Sequence, residues 1–195
     1  MSIATYTEFQ PLQEVLVGSA FDTSNFDHLE DVESRDVFKR IFEETNEDLE
    51  TLVGIFKQAG VTVHRPKSVF KFSEHESVNT PWMKSYFPNH PLMPRDIMGV
   101  YGSTIVEQFT GDAGRFFENL AYQHVSRSLF DRGMRWVSMP MPYVTTDKIP
   151  YNQMNNSQLI YHAANIVKCG KDLFYSQPGD VDKVKGKGTS VGLDW

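Results

Sequence analysis

Cysteine is almost absent from this sequence, since Cys169 is the only one among 195 residues. A single thiol excludes an internal disulfide framework and is typical of a reducing compartment, so we expect a cytoplasmic protein. No apolar run reaches the roughly 18 residues that a membrane-spanning helix needs, and residues 1–20 lack the basic start and apolar core of a signal peptide. Basic residues are also few, 19 against 25 acidic ones. This balance argues against nucleic acid as a partner.

Metal and phosphate motifs are missing too. His75 and His90 are isolated, without the spacing of metal ligands, and we predict that both lie at the surface. Lys187 is followed by Gly188 rather than Ser or Thr, so the basic stretch around it is not a Walker loop. The sequence therefore predicts neither a metal nor a cofactor. What remains is ordinary for a soluble globular protein, with 40% hydrophobic and 23% charged residues, enough for one well-buried core or two small ones.

Hydrophobic periodicity predicts alternating strands and helices. The predicted strands are Val15–Val17, Val61–Val63 and Met134–Met139, and the predicted helices are Arg35–Ala59, capped by Gly60, and Ala113–Arg132. The acidic segment 26–33 is predicted to be a solvated loop. Residues 67–93 form a long aromatic connection that either walls a pocket or covers a sheet, and the sequence leaves both interpretations open.

The centre of the chain is the stretch 92–107, which reads as a β-hairpin. Ile97, Met98 and Val100 form one strand, Ile105 and Val106 the other, and the segment from Gly102 to Thr104 the turn. Asp96 lies at the mouth of this hairpin, beside Arg95. A carboxylate there suits a pocket, although a lone aspartate also simply ends a loop.

The hairpin recurs near the end of the chain, at residues 165–175. When Gly170 is placed on Gly102, the apolar positions coincide, for example Leu173 with Ile105. Hairpin, helix and strand are thus used twice and begun a third time, with a period of about 70 residues. Repetition of a supersecondary unit implies that the units bury their faces against one another.

Many short motifs in this order resemble the amidinotransferase family, whose members move an amidino group from arginine to an amine such as glycine. The matching pieces are Glu8–Gly18, Pro94-Arg95-Asp96, Ile105-Val106-Glu107, Arg115-Phe116-Phe117-Glu118 with Ala121-Tyr122, Arg132-Gly133 with Trp136 and Pro140, Ala163-Ala164-Asn165 with Gly170–Phe174, and Gly192–Trp195. The resemblance implies an α/β propeller of the five-bladed pentein type, with the active site on its axis. Residues 1–195 would be a single domain, truncated relative to the family and equivalent to its N-terminal part, with two full blades and the start of a third.

The resemblance also implies a chemistry. In the family a cysteine attacks the guanidinium carbon of arginine, a histidine moves protons, and carboxylates hold the planar cation. Asp96 matches one such carboxylate and takes the role of a catalytic-site, substrate-binding residue. His162 replaces the family's acidic residue that orients the catalytic histidine. A neutral imidazole cannot offset the charge of a histidinium, so a large loss of rate is expected.

The family's proton-moving histidine and its cysteine are expected beyond residue 195, so activity of this chain alone is not expected. Cys169 reads as a small buried hydrophobe, with a Cys169–His162 dyad as the alternative. The alternatives to an amidinotransferase are a non-catalytic guanidino-binding or scaffold relative and an arginine deiminase-like hydrolase. Expected partners are arginine or another guanidino compound and, because incomplete blades leave apolar edges, a second copy or a complementing chain.

Overall fold

The computed structural model describes residues 3–67, 77–80, 83–86, 90–108, 115, 118–139 and 163–175. The described elements are β1 (Glu14–Leu16), α1 (Val32–Gln58), β2 (Thr62–His64), β3 (Ser77–Thr80), β4 (Met83–Tyr86), α2 (Pro94–Ile97), β5 (Met98–Tyr101), β6 (Thr104–Glu107), α3 (Gln123–Asp131), β7 (Arg135–Ser138), β8 (Ile166–Cys169) and β9 (Asp172–Tyr175). The predicted α/β class is confirmed. Within these ranges no helix combines the length and apolarity that crossing a membrane requires.

The first unit is a strand, a long helix and a strand, with β1 and β2 paired in parallel. Helix α1 begins three residues before the predicted Arg35, because the Asp31 carboxylate caps it by accepting a hydrogen bond from the Ser34 amide at 3.0 Å. The helix ends at Gln58, and Gly60 follows with a φ of 78°. This left-handed conformation is the usual way to end a helix, so the predicted role of Gly60 is confirmed.

The prediction of a solvated loop at residues 26–33 is wrong at both ends, because Val32 and Glu33 already belong to α1 and Phe26 is buried. Phe26 closes a 3₁₀ turn and is 5% exposed. Its ring stacks on those of Phe38, with centroids 5.6 Å apart, and Phe42, at 4.9 Å. Aromatic burial therefore anchors the start of this acidic segment to the face of α1.

His90 is not the predicted surface residue. Its ring lies 4.9 Å from that of Phe21 and 5.2 Å from that of Phe42, measured between centroids. Burial, followed by the positive charge of Arg115, lowers the pKa of His90. Both effects favour the neutral form of the imidazole. His75 lies outside the described residues.

The second unit contains the predicted central hairpin, which is confirmed except at Ile97, a predicted strand residue that closes the α2 turn instead. β5 and β6 pair antiparallel, with Tyr101 opposite Thr104, and Gly102 takes the positive φ of 56° that the tight turn requires. The second helix is shorter than predicted within the described residues. A 3₁₀ turn, Glu118–Ala121, precedes α3, and β7 then pairs in parallel with β6.

The third unit begins with the predicted hairpin of β8 and β9. Its register repeats that of the second unit, with Cys169 opposite Asp172 and Gly170 at a φ of 68°. In the first unit no hairpin precedes β1 among the residues that the structure describes, and the four described sheets are separate. The number of blades and the propeller therefore remain predictions.

The N-terminal segment joins the turns of the two hairpins. Thr5 and Gly102 exchange backbone hydrogen bonds of 2.9 and 2.8 Å, and the Gly170 amide donates to the Tyr6 carbonyl at 2.9 Å. The Glu8 carboxylate lies 3.7 Å from the Lys168 ammonium. Residues 5–8 thus fix the position of the hairpin of the third unit (β8 and β9, here the third hairpin) relative to that of the second unit (β5 and β6, here the second hairpin).

Candidate functional site

Asp96 lies in the single turn of α2, directly before β5. Pro94 occupies the first helical position, where its fixed φ favours the turn and its missing N–H is not needed. Ile97 is 1% exposed and anchors the turn in the core, whereas the Asp96 side chain retains 27% of its exposure. Asp96, next to this anchor, therefore holds its carboxylate at the boundary between protein and solvent.

The Asp96 carboxylate already binds a guanidinium, that of Arg115. The Arg115 Nη1 donates to Asp96 Oδ2 at 2.5 Å, and its Nη2 donates to the Met93 carbonyl at 3.2 Å. Charge-assisted hydrogen bonds of this kind are about twice as strong as neutral ones. Arg115 therefore ties both ends of the α2 turn to a more distant part of the chain.

Glu118 holds the other edge of the same guanidinium. Its two carboxylate oxygens accept from Arg115 Nε at 2.6 Å and from Nη2 at 3.1 Å, and the Tyr122 hydroxyl donates to Oε1 at 3.3 Å. The Glu118 side chain is fully buried and that of Arg115 is 14% exposed. We call Asp96, Arg115, Glu118 and Tyr122 the carboxylate clamp.

Burial and charge act against each other in the clamp. Burial raises the pKa of Glu118, while the hydrogen bonds and charge of Arg115 act to lower it. Burial acts to lower the pKa of Arg115, but the hydrogen bonds to Glu118 and Asp96 outweigh it, so the net shift is upward. Burial, with the charge of Glu118, also raises the pKa of Tyr122, which keeps the phenol protonated as a donor.

Neighbouring backbone contacts fix the clamp in the fold. The Gln108 amide donates to the Ile97 carbonyl at 2.8 Å, and Asn119 Nδ2 donates to the Gln108 carbonyl at 3.0 Å. On the other side, Arg95 Nη2 donates to the Ile166 carbonyl at 3.2 Å. Asp96 therefore lies between the second hairpin and the start of the third.

Asp96 is half-buried, and its carboxylate accepts from the guanidinium of Arg115. Its role in binding a substrate remains a prediction. His162 lies outside the described residues, so its position relative to Asp96 remains a prediction. The interpretation of Cys169 as a buried hydrophobe is wrong, because its side chain is exposed on β8. No cluster of three or more His, Cys, Asp or Glu side chains in the described ranges could hold a metal ion.

The sequence interpretation assigned no role to Arg115, Glu118 or Tyr122. The signal was present, because Glu118 follows Arg115 by three residues and Tyr122 follows Glu118 by four, spacings that bring side chains together on a helical turn. Nothing in the local sequence points to Asp96, which is 19 residues from Arg115. The fold alone supplies that contact.

Curated relatives named as amidinotransferases match most or nearly all of the chain. It is 31% identical to inosamine-phosphate amidinotransferase 1 of Streptomyces griseus, over 99% of this chain and 58% of that protein. It is 25% identical to the mitochondrial glycine amidinotransferase of Xenopus tropicalis, over 72% of this chain and 36% of that protein. The match thus covers little more than half of the first relative and about a third of the second. No protein-family model matches.

Solved structures agree with the sequence relatives. The inosamine-phosphate amidinotransferase StrB1 of Streptomyces griseus superposes with a TM-score of 0.71 at 26% identity, over 99% of this chain and 58% of that one. SxtG, an amidinotransferase from Microseira wollei in the saxitoxin biosynthetic pathway, gives a TM-score of 0.76 at 22% identity, over 100% of this chain and 58% of that one. The second likeness shows the fold alone. By sequence and by fold, this chain belongs to the amidinotransferase family.

Proposed function

We propose that these 195 residues form the guanidino-binding part of an amidinotransferase, with Asp96 as the carboxylate that holds the guanidinium of arginine. In the family reaction a cysteine bonds to the guanidinium carbon and the bond from that carbon to the ornithine amine breaks. The resulting amidino-cysteine then passes the amidino group to an acceptor amine. A positioned guanidinium is essential to the first of these steps.

The observation that carries the proposal is the state of the Asp96 carboxylate. Its Oδ2 accepts from Arg115, while no donor among the described residues reaches Oδ1. With 27% of the side chain exposed, Oδ1 is accessible to a ligand. The clamp also places two carboxylates around one guanidinium, so a cationic ligand balances the remaining negative charge.

We further propose that these residues bind arginine without converting it. Cys169 is the only thiol, and it lies on the third hairpin, where the resemblance places no nucleophile. His162 stands where the resemblance expects a carboxylate. Both features favour a guanidino-binding role for this chain by itself. The single cysteine also supports a cytoplasmic location.

Calorimetric titration with L-arginine tests the binding. The wild-type chain should bind arginine, and Asp96→Asn, which removes the charge, should bind about tenfold more weakly or worse. Asp36→Asn is a matched control, since Asp36 lies on α1 with its side chain 69% exposed, and its affinity should equal that of the wild type. A wild-type chain without affinity for arginine, or an Asp96→Asn variant with unchanged affinity, overturns the proposal.

Incubation with arginine and glycine tests the absence of turnover. Neither ornithine nor citrulline should form. Ornithine would show that the chain transfers the amidino group unaided, and citrulline would indicate a deiminase-like hydrolase instead.

A further inference from the structure

The family resemblance assigns no role to Arg115. We propose that Arg115 is a positioning residue, which fixes Asp96 so that the carboxylate selects a planar guanidinium over other cations, and that Glu118 and Tyr122 hold Arg115 in place. This inference rests on the proposed function, because it specifies how Asp96 recognises its ligand.

The first step is that Arg115 cannot itself serve as a mobile ligand of Asp96. It donates four hydrogen bonds, to Asp96, to both oxygens of Glu118 and to the Met93 carbonyl. Releasing the side chain would leave the carboxylate of Glu118, which is fully buried, without its charged partner. Such a loss is strongly unfavourable in a protein interior. Arg115 is therefore a fixed part of the site.

The second step concerns the carboxylate plane of Asp96. A carboxylate that contacts only water rotates freely. In Asp96, a hydrogen bond of 2.5 Å from the fixed guanidinium of Arg115 restrains Oδ2. The restraint leaves Oδ1 in one orientation. A planar guanidinium then faces an oxygen whose lone pairs lie in a defined plane. Its directional hydrogen bonds are stabilised by this arrangement more than those of a spherical ammonium are.

The third step is the chain of contacts behind Arg115. The Tyr122 hydroxyl donates to Glu118, Glu118 accepts the guanidinium edge, and the opposite nitrogen reaches Asp96. Tyr122 is 1% exposed, so its phenol cannot turn toward solvent. Loosening any member of this series loosens Asp96 without removing its charge.

Titrations with L-arginine and L-lysine, on the full chain, test the inference. Arg115→Lys retains the positive charge and loses the planar fork. We expect it to bind arginine about tenfold more weakly and to bring the ratio of arginine to lysine affinity close to unity. Arg127→Lys is the matched control, because Arg127 makes an exposed ion pair with Asp131 on α3, and it should keep the wild-type ratio.

Tyr122→Phe decides the question if Arg115→Lys fails to fold. It removes one hydroxyl of the series and keeps the ring, and we expect the affinity ratio to fall about two- to threefold with arginine still bound. A purely structural role would lower the melting temperature and leave the ratio unchanged. Wild-type selectivity in every folded variant overturns the positioning role and leaves the proposed function intact. A wild-type chain that binds no arginine overturns both.

Discussion

Glu14 on β1 and Arg132 at the end of α3 form an ion pair of two hydrogen bonds, 2.8 and 2.5 Å long, across 118 residues of sequence. His64 on β2 places its Nε2 2.8 Å from the same carboxylate. The pair joins the first strand–helix–strand unit to the second. The hydrogen bonds from Arg132 lower the pKa of Glu14 to about 2, against an ordinary value of 4.5.

This shift makes stability depend on pH in a defined direction. A carboxyl whose pKa is lower in the folded than in the unfolded state adds stability above the unfolded value, and that stability is lost as the pH falls from 4.5 towards about 2. Glu14→Gln should therefore lower the free energy of unfolding at pH 7 by about 1 kcal/mol, a modest value because the Arg132 side chain is partly exposed. Urea titrations at pH 7 and pH 3 measure it.

The control is Glu44→Gln, because Glu44 makes an exposed pair with Arg40 on α1 at 4.0 Å. That variant should match the wild type at both pH values. The difference between Glu14→Gln and the wild type should be smaller at pH 3 than at pH 7. A difference that grows on acidification would contradict the assignment of Glu14.

Local patterns predicted the elements well. The two hairpins follow from alternating apolar residues around Gly102 and Gly170, both of which have positive φ. The end of α1 follows from Gly60 in the same way. Each of these features depends on residues that are close in sequence, so the sequence is sufficient to locate them.

Contacts between distant residues were not predictable in this way. The bond from Arg115 to Asp96 and the bond from Arg132 to Glu14 join separate elements. Cys169 was misjudged for a related reason. Its residue type is usually buried, but exposure on β8 depends on what covers the third hairpin, which the local pattern does not specify.

Gly18 should be intolerant of a side chain, because a Cβ atom there would overlap the backbone of Leu92. The Ser19 amide donates to the Pro91 carbonyl at 2.9 Å, so the two segments run in close contact. Gly18→Ala should lower the free energy of unfolding by about 1–3 kcal/mol. Since Leu92 leads into the turn of Asp96, affinity for arginine should also fall, as measured by calorimetry.

Gly54 provides the matched control for that experiment. It lies within α1, and a Cβ atom there meets nothing within 4 Å. Gly54→Ala should raise the free energy of unfolding by about 0.5–1 kcal/mol, because alanine favours the helix. Its affinity for arginine should not change. Equal effects of the two substitutions would show that the contact with Leu92 is unimportant.

Cys169 should react as an accessible thiol, because its side chain is exposed at the end of β8. A disulfide reagent such as DTNB should modify one thiol per native chain without denaturant, and Cys169→Ser should abolish the signal. Modification should leave arginine affinity unchanged, since Cys169 lies outside the carboxylate clamp. Reaction only after unfolding would restore the interpretation of Cys169 as a core residue.

The third hairpin should drive self-association, because it exposes a face that the second unit buries. Leu173 occupies the register position of Ile105, yet it is 51% exposed, whereas Ile105, in the sheet flanked by α3, is fully buried. Phe174, on the opposite face of the hairpin, is 61% exposed. Burying Leu173 against a second copy contributes about 1.5–3 kcal/mol, a part of the roughly 8 kcal/mol that a micromolar Kd requires. Sedimentation velocity should show a sedimentation coefficient that rises with concentration, and Leu173→Glu should lower that coefficient.

Val32→Glu is the control, since an added carboxylate in the first turn of α1 suits the helix dipole and the substitution removes an apolar residue that is 54% exposed. A wild-type chain that remains a compact monomer at these concentrations would mean that the face is covered within the chain itself.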